Sequence, residues 1–78
     1  MIIDQHLPQS YNLFLHKLDI GLCCAVPQDR PVPAFIGGGW ELSAVLSRTT
    51  GLPRDFNRHA AQAAIRLNGY YLFARLQS

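Results

Sequence analysis

From Leu18 to Val26 the chain alternates: Leu18, Ile20, Leu22, Cys24 and Val26 fall on one parity, and Lys17, Asp19, Gly21, Cys23 and Ala25 on the other. A period of two sends successive side chains to opposite faces of a strand, so 18–26 is read as a strand with one apolar face. The same parity reaches back to Phe14 and is broken at His16. Tyr11, Phe14, Leu15 and Leu18 also satisfy helical spacing behind Ser10 as a candidate cap, so 11–17 fits either helix or strand. Residues 1–10 are polar, are interrupted by Pro8 and read as a loop or arm.

Pro27, Asp29 and Pro31 mark a turn. Residues 32–36 form a short apolar run containing Pro33, which cannot donate to a ladder and so predicts an edge strand. With 18–26 it would close a hairpin. After Gly37, Gly38 and Gly39 the apparent period changes. Leu42, Val45, Leu46 and Thr49 share a helical face, Glu41 sits in what would be the first turn, and Gly51 follows the end. This predicts a helix over 40–50. Pro53 opens a second one over 53–68, with Phe56, Ala60, Ala63, Ala64 and Leu67 as its inner stripe and Asn68-Gly69 as its stop. Residues 70–76 are apolar on both parities until Arg75, which predicts a central strand or one covered on both faces. The expected fold is α+β. A small antiparallel sheet from 18–26, 32–36 and 70–76 carries helices 40–50 and 53–68 on one face, in a single domain spanning 1–78.

Composition adds one point to this outline. Of the 78 residues 49% are apolar and only 15% charged, well below the usual charged share of about 25%. A chain this short buries only about 60% of its unfolded surface. Some apolar surface is therefore expected to stay exposed, and self-association or a partner is the simplest outlet for it. The charge is unevenly placed. Residues 1–40 hold Lys17 and Arg30 against Asp4, Asp19 and Asp29, while 41–78 hold Arg48, Arg54, Arg58, Arg66 and Arg75 against Glu41 and Asp55. The basic layer lies in the second half.

Candidate chemistry is sparse. His6, His16 and His59 fall in separate segments, and the carboxylates are scattered. No local spacing suggests a nucleophile with its base, or a metal site. Cys23 and Cys24 are adjacent, point to opposite faces of a strand and cannot readily bond to each other. The triple glycine lacks the lysine and hydroxyl residue of a phosphate loop, and Glu41 stands where an anion would bind. The sequence therefore predicts no enzyme, no cofactor and no metal. No basic-then-apolar leader is visible and no apolar run is long enough to span a bilayer, which suggests a cytoplasmic protein.

The most specific surface feature is basic. At 100° per residue Arg54, Arg58, Ala61 and Ile65 would share a face opposite the stripe of the second helix. Arg48, Arg54, Arg58 and Ile65 are thus candidate contact residues, together with Trp40, read either as a core plug or as an interface anchor. Residues 46–58 also resemble a helix-turn-helix: Ser47 supplies the small residue of the first helix, Gly51 the turn glycine and Leu52 the apolar residue after it. The resemblance implies that Arg54 and Arg58 face DNA, with Arg48 near a phosphate. Taken together, the sequence predicts a small non-enzymatic protein-binding module: a homodimer, inhibitor or adaptor of the size that mobile elements or phages encode. Nucleic-acid binding through helix 53–68 is the alternative, and the run 32–36 is a second route for partner pairing.

Overall fold

The computed structural model describes residues 10–47 and 51–75. They form β1 (Ser10–His16), β2 (Leu22–Pro27), β3 (Trp40–Ser47), α1 (Arg58–Asn68) and β4 (Tyr71–Ala74). The strands make one antiparallel sheet in the order β3-β1-β2-β4. This is a small α+β fold with one helix among the described residues rather than two.

The first hairpin joins β1 to β2, with Tyr11 opposite Pro27 and Leu15 opposite Cys23. The ambiguous stretch 11–17 is therefore strand. The strand predicted over 18–26 begins only at Leu22, because 17–21 make the turn. His16 Nδ1 accepts the backbone N–H groups of Leu18 at 3.2 Å and Asp19 at 2.9 Å, and Leu22 donates to the Asp19 carbonyl at 3.0 Å. Gly21 has φ +98°, a conformation that side chains rarely adopt. The hairpin predicted from 18–26 and 32–36 is not formed. Residues 32–36 belong to no strand, and Ile36 donates to the Pro33 carbonyl at 3.0 Å to close a turn.

The largest correction concerns 40–50. Residues 40–47 are β3, paired antiparallel to β1 from Ser10 opposite Ser47 to His16 opposite Trp40. The register steps from Leu13 opposite Ala44 to Phe14 opposite Leu42, which leaves Ser43 without a partner on β1. This is a β-bulge, one extra residue on the edge strand. It puts Leu42 and Val45 on the same face although they are three apart, so a bulged strand reproduces helical spacing. Residues 48–50 lie outside the described residues.

α1 starts at Arg58 and not at Pro53. Asn57, in extended conformation, accepts the Ala60 N–H on its side chain at 2.9 Å, and Gly69, at φ 89°, closes the other end by donating to the Ile65 carbonyl at 2.8 Å. Residues 53–56 make a turn in which Phe56 donates to the Pro53 carbonyl. The buried face of α1 is Ala61 and Ile65, with Ala64 beside them. The inner stripe expected over Ala60, Ala63 and Leu67 is exposed, Leu67 at 79%. The reason is the polar stripe His59, Gln62 and Arg66, which occupies one side and must stay in water, turning Ala61 and Ile65 toward the sheet. Asn57→Ala is expected to cost about 1 kcal/mol, read as a lower urea midpoint with an unchanged slope. An unchanged midpoint would show that the cap contributes nothing.

The core lies between α1 and one sheet face. Tyr11 and Leu13 of β1, Cys23 and Ala25 of β2, and Tyr71 and Phe73 of β4 meet Phe56, Ala61 and Ile65 there. Phe56 is its centre, edge-on to Tyr11 at 5.2 Å, Tyr71 at 5.1 Å and Phe73 at 5.4 Å. The Tyr71 hydroxyl also accepts the Asn57 N–H at 3.3 Å, which ties the helix cap to β4.

Candidate interaction surface

β2 and β3 both run antiparallel to β1 and lie on either side of it, so the connection 28–39 must cross the sheet. It crosses the face opposite α1. Phe35 is the bridge, with ring centroids 5.9 Å from Trp40 at the start of β3 and 4.9 Å from Tyr70 just before β4. Trp40 in turn is edge-on to His16, its cross-strand partner, at 4.8 Å. Under this aromatic strap Cys24 and Val26 are fully buried, although their side chains point away from the helix.

The strap covers the middle of the face and leaves its margins bare. At the β3 side Leu42 is 59% exposed and Val45 48%, and at the β4 side Leu72 is 45% exposed. Val32 and Phe35 of the strap itself are also exposed. Leu42, Val45 and Leu72 are thus exposed on the face opposite α1, with Phe35 of the strap exposed between the two edges. β4 is an edge strand and its Leu72 is exposed, so it is neither the central strand nor the strand covered on both faces that its apolar sequence predicts.

The sequence-predicted contact residues are scattered by the fold. Ile65 is buried under α1 and faces the core, so it is no outward contact. Arg54 and Arg58 are exposed, the first in the turn before the helix and the second at its start. Arg48 lies outside the described residues. Trp40 is half-buried, serving the strap as a packing residue with one side toward solvent. Residues 46 and 47 are strand and 51–57 hold no helix, so the first helix of the helix-turn-helix resemblance is not formed by them. The residues that sequence reasoning missed are Leu42, Val45 and Leu72. The bulge disguised the first two. Leu72 carried a signal, because an apolar residue on the second parity of a strand needs a cover.

A cavity of about 180 Å³ opens at the end of the sheet, where Lys17, Glu41 and Arg75 surround Cys23. The Arg75 backbone N–H is held by the Gly21 carbonyl at 2.7 Å. Burial pushes the Cys23 thiol up, and the nearby Arg75 guanidinium only partly offsets it. Burial, with the neighbouring Cys23, pushes Cys24 up to about 11. Both sulfurs are protonated at neutral pH and poorly nucleophilic. Among the described residues no group of three or more His, Cys, Asp or Glu could hold a metal ion, and no helix is long and apolar enough to cross a membrane. Comparison of the chain with protein-family models, curated proteins and solved structures found no match.

Proposed function

We propose that this chain is a small non-enzymatic protein-binding module whose docking surface is the strapped sheet face. The observation that carries the reading is the exposure of Leu42, Val45 and Leu72, with Phe35 between them, on the side away from α1. Exposed apolar side chains gathered on one face support an interaction site in a small domain. The pattern suits a homodimer, an inhibitor or an adaptor. Two reduced, buried thiols suit a reducing compartment such as the cytoplasm. Buried, protonated sulfurs and scattered carboxylates give catalysis no evident starting point.

Site-specific photo-crosslinking tests the assignment. A benzophenone side chain placed at Leu42 or Leu72 is expected to capture protein in cells, whereas one at Gln62 on the polar side of α1 is expected to capture none. Adducts from Gln62 alone, or adducts to nucleic acid through Arg54 and Arg58 without protein adducts from the sheet face, would overturn the reading.

A further inference from the structure

β3 is an edge. Among the described residues it has β1 on one side, and on the other only the bridge from Ser47 to Gly51 at its last residue. Trp40 turns its N–H to Gly37 and Ser47 turns its carbonyl to Gly51, so the backbone of both residues points away from β1. Alternating inward from each end makes Leu42 and Val45 the next outward positions. Natural edges are usually guarded by lysine, proline or shortness. β4, the opposite edge, is only four residues long and is followed by Arg75. β3 has eight residues, no proline and no lysine, and its one charge is Glu41.

We infer that β3 pairs antiparallel with β3 of a second copy of this chain, about a two-fold axis passing between Ser43 and Ala44, and joins two four-stranded sheets into one. The inference rests on the protein-binding reading and names its partner. The argument is self-complementarity. In that register Leu42 opposes Val45 of the other copy and Val45 opposes Leu42, so each exposed apolar residue covers its counterpart. In a regular strand residues three apart face opposite sides, and this pairing would fail. The bulge at Ser43 places both on the same face, the one opposite α1. It also makes both of them outward in their backbone groups. The feature that ordinarily disrupts an edge here matches it to its own image. The two Glu41 side chains fall near opposite ends of the new ladder, roughly 17 Å apart at about 3.4 Å per residue, too far for strong repulsion.

The test is sedimentation equilibrium of the full chain from dilute to concentrated solution, with hydrogen exchange at both ends of the range. The expected result is a monomer–dimer equilibrium in which the Leu42 and Val45 amides exchange slowly only when concentrated. Val45→Lys, at an already exposed position, is expected to weaken the dimer on the order of tenfold or more, while Leu67→Lys, at an exposed position of α1 outside the sheet face, leaves it intact. Far-UV spectra of these variants and of Leu72→Lys verify that they fold. A dimer that survives Val45→Lys and is lost in Leu72→Lys would overturn strand pairing but keep the protein-binding face. A strictly monomeric chain would overturn self-pairing, and crosslinks from Leu42 to a different protein would then leave the broader reading standing. Slow exchange of both amides at every dilution would show the edge covered from within the chain, which also overturns the inference.

Discussion

Phe56→Ala is expected to remove about 3–5 kcal/mol of folding stability, the usual range for truncating a buried phenylalanine. Phe56 precedes the helix, yet it touches rings at both sides of the core: Tyr11 of β1, and Tyr71 and Phe73 of β4. Those three residues are themselves buried, and Tyr71 and Phe73 stack on each other at 5.1 Å, so they have little freedom to collapse into the space left behind. Each edge-to-face pair adds about 0.5–1.5 kcal/mol beyond area burial, which places the cost toward the upper end. A domain of this length has a total stability of roughly 4–12 kcal/mol at about 0.05–0.15 kcal/mol per residue. The variant is therefore expected to be partly or wholly unfolded at room temperature. Urea titration followed by far-UV circular dichroism measures it. Leu67→Ala is the control: Leu67 is 79% exposed on the same helix and should move stability by no more than about 0.5 kcal/mol. A loss below about 1 kcal/mol for Phe56→Ala would mean that the core is organised around something else.

The position of Phe56 also shows why part of this fold is legible in the sequence and part is not. The alternation of Leu22, Cys24 and Val26 is a true strand signal, since β2 is a central strand with partners on both sides and no irregularity in its register. The run from Tyr71 to Ala74 likewise reads as strand because aromatic residues suit a pleated surface. β3 does not, because a single unpaired Ser43 converts a period of two into an apparent period of three to four over Leu42, Val45 and Leu46. A contrary signal is present in composition: Ser43, Val45 and Ser47 are mediocre helix formers, and nothing at Gly39 or Trp40 can cap a helix as Asn57 does. In α1 the alanines mislead. Alanine is compatible with either face, so Ala60, Ala61, Ala63 and Ala64 say little about orientation, whereas His59, Gln62 and Arg66 define the wet side. Reading the polar stripe instead of the apolar one places Ile65 inside. That error also created the arginine-rimmed contact face, and its correction moves the candidate surface from the helix to the far side of the sheet.

That far side holds a titratable group under the strap, and it gives the second large effect. Cys24 is fully buried beneath the aromatic bridge, and its thiol is raised from the ordinary 9.0 to about 11. The cause is first desolvation, which disfavours the thiolate, and then the adjacent Cys23. Between pH 9 and 11 the unfolded chain loses this proton while the folded chain keeps it. The folded form then binds more protons, so stability falls as pH rises through that window. Below pH 9 both states hold the proton and the contribution is intact. A difference of about two pH units corresponds to a few kcal/mol at about 1.36 kcal/mol per unit. Tyr11 and Cys23 are raised by burial as well and push in the same direction at alkaline pH. Urea midpoints measured in steps from pH 7 to pH 11 should therefore be level at first and then drop steeply. Cys24→Ala removes the proton and should flatten the part of the slope due to Cys24, at the cost of a small cavity apparent at pH 7. The comparison separates the two consequences of burial: the packing loss is independent of pH, and the titration is not. If wild type and Cys24→Ala lose stability in parallel up to pH 11, the strap does not exclude water from Cys24. The bare margins of the face would then extend beneath Phe35, and the docking surface would be wider than the exposed Leu42, Val45 and Leu72.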